Sequence, residues 1–276
     1  MAVVVVTDSA ARLPTELAAT YGIRVVPLHI LVGGADLCDG IDAIPDDIHD
    51  RQATTAGASP AELCAAYERA LADSGGDGVV AVHISAELSN TFGAAECAAR
   101  QLGPAVHAVD SRSTAMGTGF VALAAARAAA GGADVDSVVA EARSALARSH
   151  GFIVVQRLDN LRRSGRIGGA AAWLGTALSL KPLLRIEDGK LVLAQRVRTA
   201  SKAVTSMLDR VCEVVGDRTA ALAVHHVANP GGAEEVASTL AERLPACPPA
   251  IVTDLGPVLA LHVGAGALGV VVDVCP

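Results

Sequence analysis

The hydrophobic and polar positions of this chain alternate in blocks that predict short buried strands and helices in turn. In the first half, each β-rich apolar run ends in a polar junction and is followed by helix-tolerant residues. The predicted strands cover residues 3–6, 24–31, 79–84 and 105–109, and the predicted helices begin near Pro14 and cover 60–72, 92–98, 114–130 and 134–149. This alternation indicates a mainly parallel sheet covered by helices.

The junction after strand 79–84 is the most polar of these and contains Ser85, Ser89, Asn90 and Thr91. Ser89 is predicted to be the N-cap of the following helix, whose first amides favour an oxyanion such as a carboxylate or phosphate. Ser9 and Ser111 also follow strands, so the three hydroxyls are expected at the carboxyl edge of one sheet. The alternative is that Ser89 only caps its own helix.

From about residue 152 the pattern changes to strands, helices and a hairpin. Asp188 and Gly189 form a strong turn signal between two apolar runs. The remaining predicted strands are 152–155, 183–186, 191–198 and 220–226 with two more near Ile251 and Val270, and the predicted helices are 157–165, 170–178, 201–214 and 232–244. We expect an α/β N-terminal domain (1–155) and a smaller α+β C-terminal domain with a mixed sheet (156–276).

The composition of the chain limits the classes of function that are expected. Apolar residues make up 51% of the chain and aromatic residues 2%, and the net charge is −7. That charge argues against a nucleic-acid surface and against docking on an anionic membrane. Scattered cysteines and an N-terminus without a basic signal region predict reduced, buried thiols and a cytoplasmic protein. The uncharged run 255–272 is interrupted by Pro257, His262 and glycines, which predicts a helix, a turn and a strand rather than a membrane span.

Several motifs point to no cofactor or metal. Residues 264–269 satisfy GxGxxG, but a strand rather than a helix is predicted to follow, so we reject a dinucleotide site. The acidic stretch 33–53 matches no calcium loop and is predicted to be an irregular insertion. His225 and His226 point to opposite faces of a strand, which disfavours a shared metal ion.

Two further features have both a structural and a functional interpretation. His262 is either a satisfied core residue, a donor to an anion, or a nucleophile toward a carbonyl. The basic residues are either a solvated surface or a patch for an acidic partner or a phosphorylated product. They are Arg162, Arg163, Arg166, Arg196 and Arg198.

Six segments then occur in an order that is specific. They are VVVTDSAARLP, TTAGASPAEL, HISAELSNTFGAA, VDSRSTAMGTG, LRRSGRIGG followed by LSLKPLL, and GPVLALHVGAGALG. On these segments the chain resembles the DegV family of bacterial fatty-acid-binding proteins over nearly its full length.

This resemblance implies a two-domain (EDD) fold with one long-chain fatty acid held between the domains. It places Thr55, Ser89 and His262 on the carboxylate, and it predicts an apolar tunnel for the acyl chain. The full predicted ligand-binding set is Thr55, Ser89, Asn90, Thr91, His262 and Gly264. The chain departs from the family pattern at Ala56, Asn90, Phe92 and Val263, which predicts fewer pocket hydroxyls.

Some family members present the bound acid to a separate ATP-dependent kinase subunit that makes acyl phosphate. The resemblance marks Arg166 and Arg198 as candidates for that docking face, and it implies no catalytic residue or cofactor in this chain. One alternative is an enzyme that acts on a small carbonyl or phosphorylated substrate through His262, because the family's first domain resembles that of dihydroxyacetone kinases. Another is an interaction module that uses the arginine face.

Overall fold

The computed structural model describes residues 2–167 and 181–275. The chain divides into two compact units, one of residues 1–44 and 54–147 and the other of residues 45–53 and 148–276. The helix predicted at 170–178 lies outside the described residues.

The first unit alternates strands with helices, as the sequence predicts. A 3₁₀ turn, Ser9–Ala11, follows its first strand. Its strands and helices are β1 (Val4–Asp8), α1 (Thr15–Thr20), β2 (Arg24–Val26), β3 (His29–Val32), β4 (Ala35–Cys38), β5 (Ala53–Ala56), α2 (Pro60–Asp73), β6 (Val79–His83), α3 (Thr91–Leu102), β7 (Val106–Asp110), α4 (Met116–Ala130) and α5 (Val135–Leu146).

A parallel sheet with strand order β2-β1-β6-β7 forms the centre of this unit. Every residue of β6 is buried, which explains why that strand reads as a continuous apolar run. Helices α2 and α3 pack on one another, as do α4 and α5, and each pair also contacts the sheet. The predicted α/β class with a parallel N-terminal sheet is therefore confirmed.

The prediction of one strand over residues 24–31 is wrong. The structure breaks it into β2 and β3, which belong to different sheets, and Pro27 lies at the break because proline cannot donate to a ladder. The acidic stretch 33–53 is also more ordered than predicted. It contributes β4 to a three-stranded sheet of order β4-β3-β5, and Asp36 Oδ1 accepts a hydrogen bond from His29 Nδ1 at 2.8 Å.

Helix α2 begins at Pro60, the first residue of the helix predicted over 60–72. The Ser59 hydroxyl accepts a hydrogen bond from the Glu62 amide, and the Glu62 carboxylate accepts one from the Ser59 amide. This reciprocal capping box, with Pro60 in the first turn, satisfies two amides that the helix leaves unpaired.

The second unit is built on a mixed six-stranded sheet of order β10-β9-β8-β13-β11-β12. Only the β11–β12 pair among these neighbours is parallel. Residues 48–50 add a 3₁₀ turn. The elements are β8 (Ser149–Val154), α6 (Asp159–Arg163), β9 (Lys181–Glu187), β10 (Lys190–Val197), α7 (Ala200–Val215), β11 (Ala220–His226), α8 (Pro230–Arg243), β12 (Ile251–Asp254), α9 (Gly256–Val263) and β13 (Leu268–Val274).

The turn and strand signals of this unit produce the local structures that the sequence predicts. Asp188 and Gly189 both have positive φ, 49° and 81°, so they form the tight turn of the β9–β10 hairpin. Residues 255–272 form α9, a glycine turn and most of β13, and a strand follows the GxGxxG segment. Within the described residues, every helix is too short or too polar to cross a bilayer.

Three further outcomes differ from the sequence predictions. The division between units falls between Ala147 and Arg148, before β8 rather than after residue 155, because β8 pairs with β9 and β13 of the second sheet. The units are also similar in length. All six cysteines are free, but Cys97 and Cys275 are exposed rather than buried.

Candidate functional site in the first unit

The loop between β6 and α3 carries a pair of hydroxyls. Ser89 Oγ lies 2.8 Å from Thr91 Oγ1 and accepts a hydrogen bond from the Thr91 amide at 3.2 Å. Thr91 is fully buried, whereas Ser89 is only partly buried. Either hydroxyl can be the donor in this pair; in the orientation in which Thr91 donates, Ser89 Oγ has its own proton available for an outside anion.

The predicted N-cap is one residue too early. Helix α3 begins at Thr91 and its N-cap is Asn90, whose side chain makes no capping hydrogen bond. The cause is the turn at residues 85–89, in which the Ser89 amide donates to the Ser85 carbonyl at 3.0 Å and delays the first helical residue. The Ser89 hydroxyl still satisfies one amide of the first turn. Asn90 itself is exposed.

The segment that carries Thr55 reaches the same hydroxyl pair. Thr55 lies in β5, and a β-carbon on Gly57 would lie 2.5 Å from Thr91 Oγ1 and 3.3 Å from the Thr91 amide nitrogen. Only glycine permits this close approach of backbone to hydroxyl. The structure therefore brings the segment 55–57 against Thr91, and so next to the Ser89 loop, within the first unit.

The electrostatic setting of this site suits an anion. Helix α3 has no acidic residue in its first turn, so its amide end keeps the partial positive charge of the helix dipole. The other two hydroxyls predicted at the sheet edge, those of Ser9 and Ser111, form hydrogen bonds with other residues of the protein. Ser9 Oγ accepts the Leu28 amide at 3.1 Å, and Ser111 Oγ lies 2.8 Å from Thr118 Oγ1.

Residues of the second unit near His262

His262 lies in the last turn of α9. Burial, with the positive charge of Arg166 as a smaller cause, lowers its pKa from 6.5 to about 4. The imidazole is therefore neutral at pH 7 and donates through one ring N–H only. The Arg166 guanidinium also donates to the Ser164 carbonyl.

Gly264, a predicted ligand-binding residue, has a structural role at the end of α9. Its amide donates to the Ala260 carbonyl at 2.8 Å, and its φ is +80°. A β-carbon there would lie 3.3 Å from Asn160 Nδ2. Glycine thus closes the helix in a conformation that other residues adopt only with strain.

The predicted docking arginines differ in exposure. Arg198 is exposed and directly follows β10, whereas Arg166 is partly buried and acts electrostatically on His262. Arg196 is exposed and pairs in register with Pro182 of β9. These positions are compatible with a basic surface on the second unit.

Among residues 2–167 and 181–275, no group of three or more His, Cys, Asp or Glu side chains is placed to hold a metal ion. His225 is buried with its Nδ1 2.9 Å from Thr253 Oγ1, and His226 Nδ1 lies 3.4 Å from Asp254 Oδ2. The two histidines have different partners, as their opposite strand faces predict.

Sequence reasoning missed a buried polar chain formed by Asp8, His83 and Tyr67. His83 Nδ1 lies 2.9 Å from Asp8 Oδ2, and His83 Nε2 lies 2.6 Å from the Tyr67 hydroxyl. The signal was present, since β1 and β6 are apolar runs that end in an aspartate and a histidine at the same sheet edge.

Comparison with known proteins

The sequence model of a protein family described as "Uncharacterised protein, DegV family" matches residues 2–274 of this chain. The chain belongs to the DegV family. A DegV domain-containing protein of Mycobacterium tuberculosis is 69% identical over 274 residues, which cover 99% of this chain and 98% of that protein. A DegV domain-containing protein of Streptomyces coelicolor is 40% identical, with 98% of each chain covered.

Solved DegV structures share the whole fold. The structure titled "Fatty Acid Binding of a DegV family Protein from Thermus thermophilus" has a TM-score of 0.89 and 32% identity, and 100% of both chains is covered. A structure described as DegV, a fatty acid binding protein from Bacillus subtilis, has a TM-score of 0.90 and 26% identity with the same coverage.

Proposed function

We propose that this protein binds one long-chain fatty acid and carries it in a non-catalytic role. The observation that carries the proposal is the full-length likeness to the Thermus thermophilus DegV protein, which is described as binding fatty acid. The exposed side of the Ser89–Thr91 hydroxyl pair supplies a chemically suitable contact for a carboxylate.

In this proposal the carboxylate is held by Thr55, Ser89 and His262, the three residues that the family resemblance places on it. Thr91 orients Ser89, and Asn90 and Gly264 shape the backbone beside these contacts. The neutral imidazole of His262 donates one hydrogen bond. A pKa near 4 also makes His262 a weak general base at neutral pH, which favours binding over the alternative of catalysis through this residue.

The acyl chain is expected to supply most of the affinity. Burying an acyl chain yields about 0.8 kcal/mol per CH₂, so a chain of ~16 carbons supplies on the order of 10 kcal/mol before the cost of association. Each charge-assisted hydrogen bond to the carboxylate adds roughly 1.5–3 kcal/mol. The tail therefore sets affinity, and the hydroxyls set the orientation of the head group.

Direct titration of delipidated protein with palmitate and oleate tests binding. The proposal predicts saturation at one fatty acid per chain, with octanoate binding far more weakly because its shorter tail buries fewer CH₂ groups. Equal affinity for octanoate and palmitate would contradict the proposed role of the tail.

The proposal extends to presentation of the acid to a separate kinase subunit. There, a carboxylate oxygen attacks the γ-phosphorus of ATP, the bond to the β-phosphate oxygen breaks, and acyl phosphate and ADP form. Charge reversal at the exposed Arg198 tests the docking face. Arg198→Glu is expected to keep palmitate binding and to lose acyl phosphate formation with the kinase, whereas Arg210→Glu on α7 keeps both. Unchanged acyl phosphate formation in Arg198→Glu would remove Arg198 from the docking face.

A further inference from the structure

Three polar side chains of the first unit form a continuous chain that is shut off from solvent. Asp8, Tyr67 and His83 are each 0% exposed. Asp8 Oδ1 accepts the Ala10 amide at 3.0 Å, and Asp8 Oδ2 accepts the Ile84 amide at 2.9 Å as well as contacting His83. The carboxylate thus fixes two backbone amides and one imidazole.

The carboxylate at one end of this chain determines the direction of its protons. Because a carboxylate only accepts, His83 Nδ1–H donates to Asp8 Oδ2. In the neutral imidazole Nε2 is then the acceptor and the Tyr67 hydroxyl donates to it. Burial, together with the negative charge of Asp8, raises the pKa of Tyr67 well above its ordinary value, so this hydroxyl keeps its proton. Every polar atom of the chain has its partner, and the imidazole is locked in one tautomer and one orientation.

The position of this chain in the fold links the elements that carry the carboxylate contacts. Asp8 ends β1, and His83 ends β6 directly before the loop that holds Ser89. Tyr67 lies on α2, whose N-cap Ser59 is four residues after Thr55. Beyond Ile84, the loop is tied down again where the Ser85 amide donates to the Ser113 carbonyl at 2.9 Å.

Stability alone does not require such a chain, because well-packed apolar side chains of similar volume stabilise a core at least as well as buried polar groups. A fully satisfied polar network instead selects one arrangement of the elements that it joins. We propose that Asp8, His83 and Tyr67 are positioning residues that hold the Ser89–Thr91 hydroxyl pair in the orientation that receives a carboxylate. The inference rests on the proposed function.

The test separates recognition of the head group from binding of the tail. Tyr67→Phe removes one hydroxyl, and its affinities for palmitate and for hexadecanol, which has the same tail without an anionic carboxylate, are measured by direct titration. Palmitate affinity is expected to fall about tenfold while hexadecanol affinity stays within about twofold. Tyr21→Phe is the control. It changes the only other tyrosine of the protein, which stacks with Arg127, and is expected to change neither affinity.

A second variant covers the case in which Tyr67→Phe does not fold. His83→Asn keeps a donor near the position of Nδ1 for Asp8 but cuts the link to Tyr67, and the same selective loss for palmitate is expected. Equal losses for palmitate and hexadecanol in the folded variant, or no loss for either, would overturn the positioning role. Wild-type protein that binds neither ligand would overturn the proposed function and this inference with it.

Discussion

Gly57 lies so close to Thr91 that a β-carbon at residue 57 would be 2.5 Å from Thr91 Oγ1. The same oxygen is 2.8 Å from the Ser89 hydroxyl. The segment of Thr55 and the loop of Ser89 are therefore held against one another within the first unit, and this contact depends on the absence of a side chain.

Gly57→Ala is expected to push Thr91 away and to weaken both folding and fatty acid binding. Overpacking of this kind costs about 1–3 kcal/mol of unfolding free energy. Thermal unfolding and palmitate titration measure the two effects. Gly231→Ala on α8 is the matched control, because a β-carbon there meets no atom within 4 Å and φ is not positive. Wild-type stability and affinity in Gly57→Ala would show that the close approach is unimportant.

Ser89→Ala is expected to impair presentation of the carboxylate more than binding itself. The variant loses one hydrogen bond to the head group, worth roughly 1.5–3 kcal/mol, whereas the tail retains its contribution. Titration with palmitate and the rate of acyl phosphate formation by the kinase measure the two effects, and Ser238→Ala on the exposed face of α8 is the control. Complete loss of palmitate binding would mean that the head group dominates affinity.

The low pKa of His262 makes folding depend on pH. In the unfolded chain this imidazole takes up a proton near pH 6.5, whereas in the folded protein it stays neutral until about pH 4. Keeping this imidazole neutral therefore costs no unfolding free energy above pH 6.5. As the pH falls from 6.5 toward 4, the free energy of unfolding decreases by up to about 3 kcal/mol.

Urea unfolding of His262→Gln at several pH values between 4 and 7 measures this dependence. The variant is expected to lose less stability on acidification than the wild type. Ser238→Ala is the control, because it changes no titratable group and is expected to keep the wild-type acid dependence. A wild-type acid dependence in His262→Gln would contradict the assignment.

Arg166→Gln is expected to raise the pKa of His262 above 4 but to leave it below 6.5, because burial is the larger cause of the depression. An NMR titration of the His262 ring proton measures the change. Arg162→Gln, on the exposed side of α6, is expected to leave that pKa unchanged. An equal shift in both variants would point to general surface charge rather than to Arg166.

Local signals in the sequence predict most elements because their causes are local. The capping pair Ser59 and Glu62 places α2, and the Asp188–Gly189 dipeptide places the β9–β10 hairpin. The errors come from tertiary context. Pro27 separates two strands that continuous β propensity joins, and acidic residues near Asp36 form a strand because a partner strand and His29 are available.

The same distinction between local signals and tertiary context applies to the candidate site. Residue types single out Ser89 and His262 as candidates, and the resemblance to the family adds Thr55. No spacing rule reveals that Tyr67 and His83 meet, because that contact depends on how α2 packs over the sheet. A pocket with fewer hydroxyls remains a prediction, which rests on the departures from the family pattern at Ala56, Asn90, Phe92 and Val263.

The central claim is that this protein holds a fatty acid, and native mass spectrometry of protein purified from cells tests it most directly. The account predicts a mass above that of the polypeptide by one long-chain fatty acid, which is released on denaturation. A bare polypeptide mass under gentle conditions, with no uptake of added oleate or palmitate, would contradict it.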